Sequence, residues 1–227
     1  MLSQNLYTYA FLNTPDFPLD LPSGNIGELS LIKGKNISAI VEPEISLELI
    51  QNNDEQVIKM VLAHDRVLCE LYRQITVLPL RFGTCFTSEN TLLNHIDSHA
   101  QEYQDKLNSI QGKNEYTLKA IPHKFEEIAT PSGKNGRDYF LAKKQHYEHQ
   151  KSFLASQNDE KDELINLITQ IYQSSAIVQH HEEEVRLHIL VDRHDKALLL
   201  EQVSTLREKC PHWNLILGEP LPPYDFI

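Results

Sequence analysis

The stretch "TVLPLRFGT", Thr76 to Thr84, sets a proline and an arginine inside a short apolar run and stops it at Gly-Thr. Alternation predicts a strand over 76–83, with Leu78, Leu80 and Phe82 on one face and Val77, Pro79, Arg81 and Gly83 on the other. Three large apolar side chains mark the first face as core. Pro79 has no N–H to give to a ladder, which predicts an edge strand or a proline nitrogen turned away from its neighbour. Gly83 permits a sharp exit into the next helix. Arg81 projects from the second face and has two readings. It either clamps a carboxylate from a loop or another domain in a bidentate pair, or it works as a ligand-binding arginine in a pocket.

Upstream of this run, "LYTYAFL" (Leu6–Leu12) is apolar or aromatic at both alternating positions and reads as a central strand. "NTPDFPLDLPSG" is a loop by its proline and aspartate content. "ELSLIKGKNISAIVEP" reads as a hairpin turning at Gly34-Lys35 and ending at Pro43. From Asp54, a candidate cap, Val57, Val61, His64, Leu68, Leu71 and Ile75 share one helical face. Downstream, Ser88 is a plausible N-cap for a helix whose apolar positions run from Leu92 to Ile110 and which Gly112 closes.

The remainder reads as a strand (Glu115–Ile121), an exposed loop ("IATPSGKNGRD", Ile128–Asp138) and two helical stretches near Asp138–Ser156 and Asp159–Gln179, with "SQNDEKD" as a turn or kink. A strand ("EVRLHILVD", with Arg186 and His188 on its outer face), a helix (His194–Lys209) and a strand ("WNLILG") follow. The tail "EPLPPYDFI" is expected to lie extended. This order predicts an α+β chain of two small domains, residues 1–111 and residues 112–227 with the tail. Each is a mostly antiparallel sheet with helices on one face, ferredoxin-like or a variant of it.

Composition narrows the function classes. Hydrophobic residues make up 41% of the 227, enough for proper cores, and the formal charge is −11. An acidic chain lacks the basic footprint of a nucleic-acid binder and is not drawn to anionic lipid. No apolar run approaches the roughly 18 residues of a membrane span. The N-terminus lacks the basic region of a signal peptide. Three well-separated cysteines, Cys69, Cys85 and Cys210, fit reduced thiols in a cytoplasm better than a disulfide framework.

Eleven histidines invite a metal reading, and their arrangement argues against it. His180 and His181 diverge at a helix end beside Glu182–Glu184, and a charged, solvated turn is the plain reading. His95 and His99, four apart on a helix, share a face, yet two ligands make no site. His146 and His149 are weighed in the same way. His64 reads as a core histidine satisfied by a nearby backbone group or carboxylate. No HExxH, paired CxxC, GxSxG, GxGxxG or phosphate loop is present. No catalytic, cofactor-binding or metal-ligating residue is therefore assigned and no cofactor is expected, which favours a binding or assembly role.

The pieces "LYTYAFL", "ISAIVEP", "LAHDRVLCEL", "TVLPLRFGT", "LNSIQGKNEYTLKAI" and "GEPLPPYDFI" together resemble the gas vesicle protein family GvpF/GvpL across nearly the whole chain, and the F branch more than the L branch. The family ending more often carries Gly-Pro-Trp-Pro, where this chain has Gly218-Glu219-Pro220-Leu221-Pro222-Pro223. The resemblance implies a non-enzymatic protein needed to build gas vesicles, the gas-filled, protein-walled compartments in the cytoplasm of some bacteria and archaea. Such a protein is an assembly factor or minor wall component that binds the small, very hydrophobic major shell protein or other accessory proteins. No nucleic acid, lipid membrane or small-molecule substrate is expected as a partner. The strand carrying Pro79 and the tail residues Tyr224, Phe226 and Ile227 are the candidate contacts, although the tail also suits docking on its own C-terminal domain. The competing reading is a small-molecule- or metal-binding enzyme or regulator using Arg81 and histidines in an inter-domain cleft.

Overall fold

The computed structural model describes residues 5–43, 45, 54–126, 136–181 and 184–227. Most of the expected loop 128–138, and Glu182 and Glu183, lie outside the described residues. The chain divides into two compact units, 1–114 together with 221–227, and 115–220. The tail thus groups with the N-terminal unit, unlike the sequence expectation, because Tyr224 donates to Asp65 in that unit (2.6 Å). The tail is also not simply extended, since Tyr224–Phe226 form one 3-10 turn.

In the N-terminal unit the order is β1 (Leu6–Asn13), β2 (Ser30–Lys33), β3 (Ile37–Pro43), α1 (Asp54–Gln74), β4 (Val77–Pro79), β5 (Cys85–Phe86), α2 (Glu89–Ser98) and α3 (Ala100–Ile110). The strands lie β2-β3-β1-β4, with β5 also paired to β1, and every pairing is antiparallel. β1 is central, and Leu6 to Leu12 are all buried, as a strand apolar at both alternating positions demands. Helices cover both faces of this sheet, where one face was expected. Val67, Leu68 and Leu71 of α1 pack with Tyr7, Tyr9, Leu12 and Val77. On the opposite face Phe11 meets Tyr103 of α3 and His95 of α2. Each fully buried Leu or Val in these layers stabilises the unit by about 1.5–3 kcal/mol.

The expected helix register holds in part. His64, Val67, Leu68, Leu71 and Tyr72 form the buried stripe of α1, while Val61 is exposed. Ser88 caps α2 through a reciprocal bond pair with Thr91, satisfying donors the first helical turn leaves open. The long helix expected from Ser88 to Gln111 breaks at His99, whose φ of −116° departs from the helical range.

The C-terminal unit contains β6 (Lys113–Pro122, which begins in the N-terminal unit), α4 (Gly136–Tyr172), β7 (Ala176–His180), β8 (Val185–Asp192), α5 (Lys196–Lys209) and β9 (Trp213–Leu217). Its element order is strand–helix–strand–strand–helix–strand, with strands lying β7-β8-β6-β9. β6 with β9 and β7 with β8 pair antiparallel. Leu164 and Ile168 of α4 and Leu199, Val203 and Leu206 of α5 pack on Leu118, Leu187, Ile189 and Leu215.

Two expectations fail in this unit. α4 is one helix of 37 residues, with no break at "SQNDEKD". Inside it, Gln157 bonds the carbonyls of His123 and His212, and Glu160 accepts from the His212 backbone N–H (2.9 Å), so tertiary partners hold the polar segment helical. The second helix also stops at Tyr172 rather than Gln179. Ala176, Ile177 and Val178 instead pair with Ile189, His188 and Leu187 of β8, where β-branched side chains fit better than on a helix.

Candidate functional site: the edge groove of the N-terminal sheet

The opening stretch is not one strand. β4 ends at Pro79, opposite Ala10, and β5 begins at Cys85, opposite Tyr7. The edge chain thus advances six residues while β1 covers three, and the surplus is pushed out as a turn. Leu80 N–H donates to the Tyr9 carbonyl (2.9 Å), and Thr8 N–H donates to the Thr84 carbonyl (2.9 Å), pinning both ends to β1. Between them Thr84 N–H closes a turn on the Arg81 carbonyl (3.1 Å), with the Thr84 hydroxyl donating to the same oxygen (2.7 Å). Gly83 sits at the third turn position with φ +87°, a conformation that costs a side chain and suits glycine.

The expected facing of side chains changes accordingly. Leu78 and Val77 are both buried, and Leu78 lies opposite Phe11 on the α2/α3 side. Phe82 lies on the other side, edge-on to Tyr7 and His64. Leu80 is half-buried. β4 is the edge of the sheet, as Pro79 foretold. Because Leu80 N–H points inward, alternation turns the Pro79 nitrogen outward, where its missing donor blunts the open edge.

A buried polar chain holds the turn from beneath. His64 is 5% exposed. Its Nε2–H donates to the Leu80 carbonyl (3.1 Å), so its Nδ1 accepts from the Tyr7 hydroxyl (2.8 Å). Tyr7 accepts in turn from Gly83 N–H (3.4 Å). The two bonds fix one neutral tautomer, and burial pushes the imidazole below its ordinary pKa. The Tyr9 ring stacks on His64 at 5.0 Å, and burial raises both tyrosine hydroxyls well above their usual range.

Tyr9 also donates to Glu42 (2.5 Å). That carboxylate, fully buried on β3, accepts backbone N–H groups of Asn25 and Ile26 (2.7 Å each) and of Gly27. Gly24 lies so close to Glu42 that a Cβ there would strike the carboxylate. An acid with four donors replaces its lost hydration and staples the loop before β2 to the sheet. A lone glutamate inside the apolar "ISAIVEP", matched by Gly-bearing "SGNIG", is the sequence signal for this anchor.

Against the edge lies a cavity of about 410 Å³, lined by Leu78, Pro79, Leu80, Arg81 and Thr84, by Tyr103 and Lys106 of α3, and by Tyr224 and Ile227 of the tail. The two candidate contacts, the Pro79 edge and the tail, thus form one groove. Arg81 is exposed and makes no ion pair among the described residues, so the expected carboxylate clamp is absent there. Lys106 pairs with Glu102 (3.0 Å). Tyr224 is tied to Asp65, and its hydroxyl is driven up by burial and by that bond. Tyr103 is raised by burial as well. Neither phenol ionises near neutral pH, so the lining supplies apolar surface, a free cation and hydrogen-bond donors rather than a general base.

The histidine candidates do not converge here. His95 bonds the Tyr103 hydroxyl (2.7 Å) and His99 donates to the His95 carbonyl (2.9 Å), with no third metal-ligating side chain joining them among the described residues. His180 and His181 are exposed, and His146 rests on Phe125. His188 is not on a solvated face. It is buried, and its Nδ1 lies 3.0 Å from Glu115.

The family model for gas vesicle synthesis protein GvpL/GvpF matches residues 5–227. The chain belongs to this family. It is 29% identical over 124 residues to gas vesicle protein F1 of Halobacterium salinarum, spanning 53% of this chain and 56% of that relative. It is 24% identical over 183 residues to gas vesicle protein F of a Streptomyces species, covering 74% and 76%. The chain spans little more than half the length of the Halobacterium relative. Its fold matches the crystal structure of GvpF from Anabaena sp. with a TM-score of 0.72 at 14% identity, over 99% of this chain and 96% of the other. That of GvpF from Microcystis aeruginosa matches at 0.68 and 13%, over 98% of both. The two crystal structures match the mixed α/β fold with two antiparallel sheets, and the family model places the chain among the gas vesicle synthesis proteins GvpL/GvpF. No helix among the described residues is long and apolar enough to cross a membrane.

Proposed function

We propose that this chain is a non-enzymatic gas vesicle assembly factor or minor structural component, acting at the vesicle in the prokaryotic cytoplasm. It binds the hydrophobic major shell protein, other accessory proteins of the vesicle, or both. The groove on β4 carries this reading. An apolar trough beside a sheet edge accepts an extended apolar segment chiefly through its side chains, since Pro79 leaves the edge short of a ladder donor. Leu78, Leu80 and Ile227 receive its side chains, and Arg81 remains available for a carboxylate or a chain carbonyl. The acidic surface, with a net charge of −11, keeps such a complex dispersed while apolar shell surface is covered.

The test is capture of the purified shell protein by wild type and by Leu80→Asp with Arg81→Glu, with melting measured alongside. The double variant should lose most of the captured protein while keeping a cooperative melt. Undiminished capture would remove the groove from the binding surface. Antibody probing of intact and opened vesicles then decides whether the protein stays in the finished wall.

A further inference from the structure

The C-terminal sheet ends on β9 at one side and β7 at the other, and the chain treats the two edges differently. On β9 the ladder bonds of His212 and Gly218 to β6 turn those residues inward, so alternation turns Trp213 and Leu215 outward. Their outward groups are occupied. Trp213 N–H donates to the Cys210 carbonyl (3.0 Å), and the Arg207 guanidinium donates twice to the Leu215 carbonyl (3.1 and 3.0 Å). In the N-terminal sheet, Pro79 blunts β4, and β2 is four residues long and ends on an exposed lysine.

β7 has no such guard. His181 N–H donates to the Glu184 carbonyl (2.9 Å) across the hairpin, which fixes the phase of the ladder. Ile177 and Gln179 therefore exchange bonds with His188 and Arg186 of β8, while Ala176, Val178 and His180 turn their backbone groups outward. Ala176 N–H is taken by the Gln173 carbonyl. The Ala176 carbonyl, and the N–H and carbonyl of Val178 and His180, meet no hydrogen-bond partner among the described residues. The strand has no proline, lysine or bulge to turn another strand away.

These outward groups are spaced symmetrically about Val178. A second copy laid antiparallel sets Val178 opposite the partner's Val178, and His180 opposite the partner's Ala176. Each Val178 N–H then meets the other copy's Val178 carbonyl. Each His180 N–H meets the other copy's Ala176 carbonyl, so the occupied Ala176 N–H is not needed. β7 carries no acidic residue, and its single titratable side chain, His180, falls opposite an alanine. A chain with a net charge of −11 thus meets itself here without setting like charges against each other. Ala176 and Val178 already pack on the core of their own unit, which holds the strand straight for pairing.

We infer that the outer edge of β7 is a self-association surface, where two copies pair antiparallel about Val178 and join their four-stranded sheets into one continuous sheet. The contact is two-fold and uses the same edge of both copies, so it closes at a dimer. The pairing does not depend on the β4 groove. It presents that groove twice, so a ligand of the groove is held bivalently.

Sedimentation equilibrium of the full chain over a wide concentration range should show a reversible monomer–dimer equilibrium. His180→Pro removes an outward donor and spares the bonds to β8. It should weaken the dimer at least tenfold while the melt stays cooperative. Ile177→Cys with Gln179→Cys reports the register, because these positions face each other across the two-fold as a closely spaced pair without mutual hydrogen bonds. Mild oxidation should cross-link that variant as a dimer, and should not cross-link wild type, whose cysteines are Cys69, Cys85 and Cys210. Leu80→Asp with Arg81→Glu should dimerise as wild type does, which separates this surface from the groove. Four results would each overturn the inference: a monomer at every concentration, a folded His180→Pro variant that dimerises undiminished, a dimer that the groove variant dissolves, or a double-cysteine variant that stays uncross-linked.

Discussion

His64→Ala tests whether the groove turn is held by the polar chain beneath it. The substitution strips the acceptor from the buried Tyr7 hydroxyl and the donor from the Leu80 carbonyl, and opens a space between Tyr7, Tyr9 and Phe82. An orphaned buried polar group costs about 1–3 kcal/mol, and the lower end suits Leu80, whose half-exposed position admits water. With the lost ring packing, the sum is about 3 kcal/mol. For a unit of this size each kcal/mol lowers the melting temperature by about 4 °C, so a drop of about 12 °C is expected at pH 7.5.

The pH dependence has a definite sign. Burial depresses the folded-state pKa of His64 below its ordinary value near 6.5. The unfolded chain therefore binds more protons just below that pH, and stability is full above it and falls as pH drops towards the folded pKa. His95 is depressed in the same direction, so His64→Ala should flatten the slope below pH 6.5 without abolishing it. Urea denaturation followed by circular dichroism between pH 5.5 and 7.5 measures both effects. An unchanged midpoint at pH 7.5, or an unchanged slope, would show that the imidazole does not hold the turn.

Glu42→Gln turns an amide NH₂ towards backbone N–H groups and should cost about 3 kcal/mol, read as a lower urea midpoint. Gly83→Ala should destabilise by about 1 kcal/mol although nothing lies within 4 Å of the added methyl, because the φ of +87° itself resists a side chain; a neutral result would mean the turn relaxes freely. Tyr224→Phe should cost about 1 kcal/mol and speed proteolysis of the tail, since its bond to Asp65 is lost. Arg81→Ala should leave melting within about 2 °C of wild type, as for exposed positions away from buried networks, while partner capture falls.

Local chemistry made much of this molecule legible in its sequence. Apolar residues at every position of Leu6–Leu12 demand a strand covered on both sides, Pro79 marks an edge, Ser88 caps a helix, and the stripe through His64, Leu68 and Leu71 needs a sheet to lie on. These are properties of a few neighbouring residues, so they survive without knowledge of the rest. The "VLPLRFGT" and "PPYDF" segments likewise carry the family. What tertiary structure decided were pairings between distant segments. Whether Leu80 and Phe82 extend the strand depended on Tyr9, Tyr7 and His64 capturing the backbone at Leu80 and Gly83. Whether Arg81 is clamped depended on which carboxylates reach it. The tail found Asp65, some 160 positions earlier, rather than its sequence neighbours, and the polar midsection of α4 stayed helical because His212, His123 and Trp213 meet its side chains and backbone. A periodic pattern reports which face of an element is buried. The partner that buries it, and the hydrogen bonds that bend it, are set only when chain segments meet.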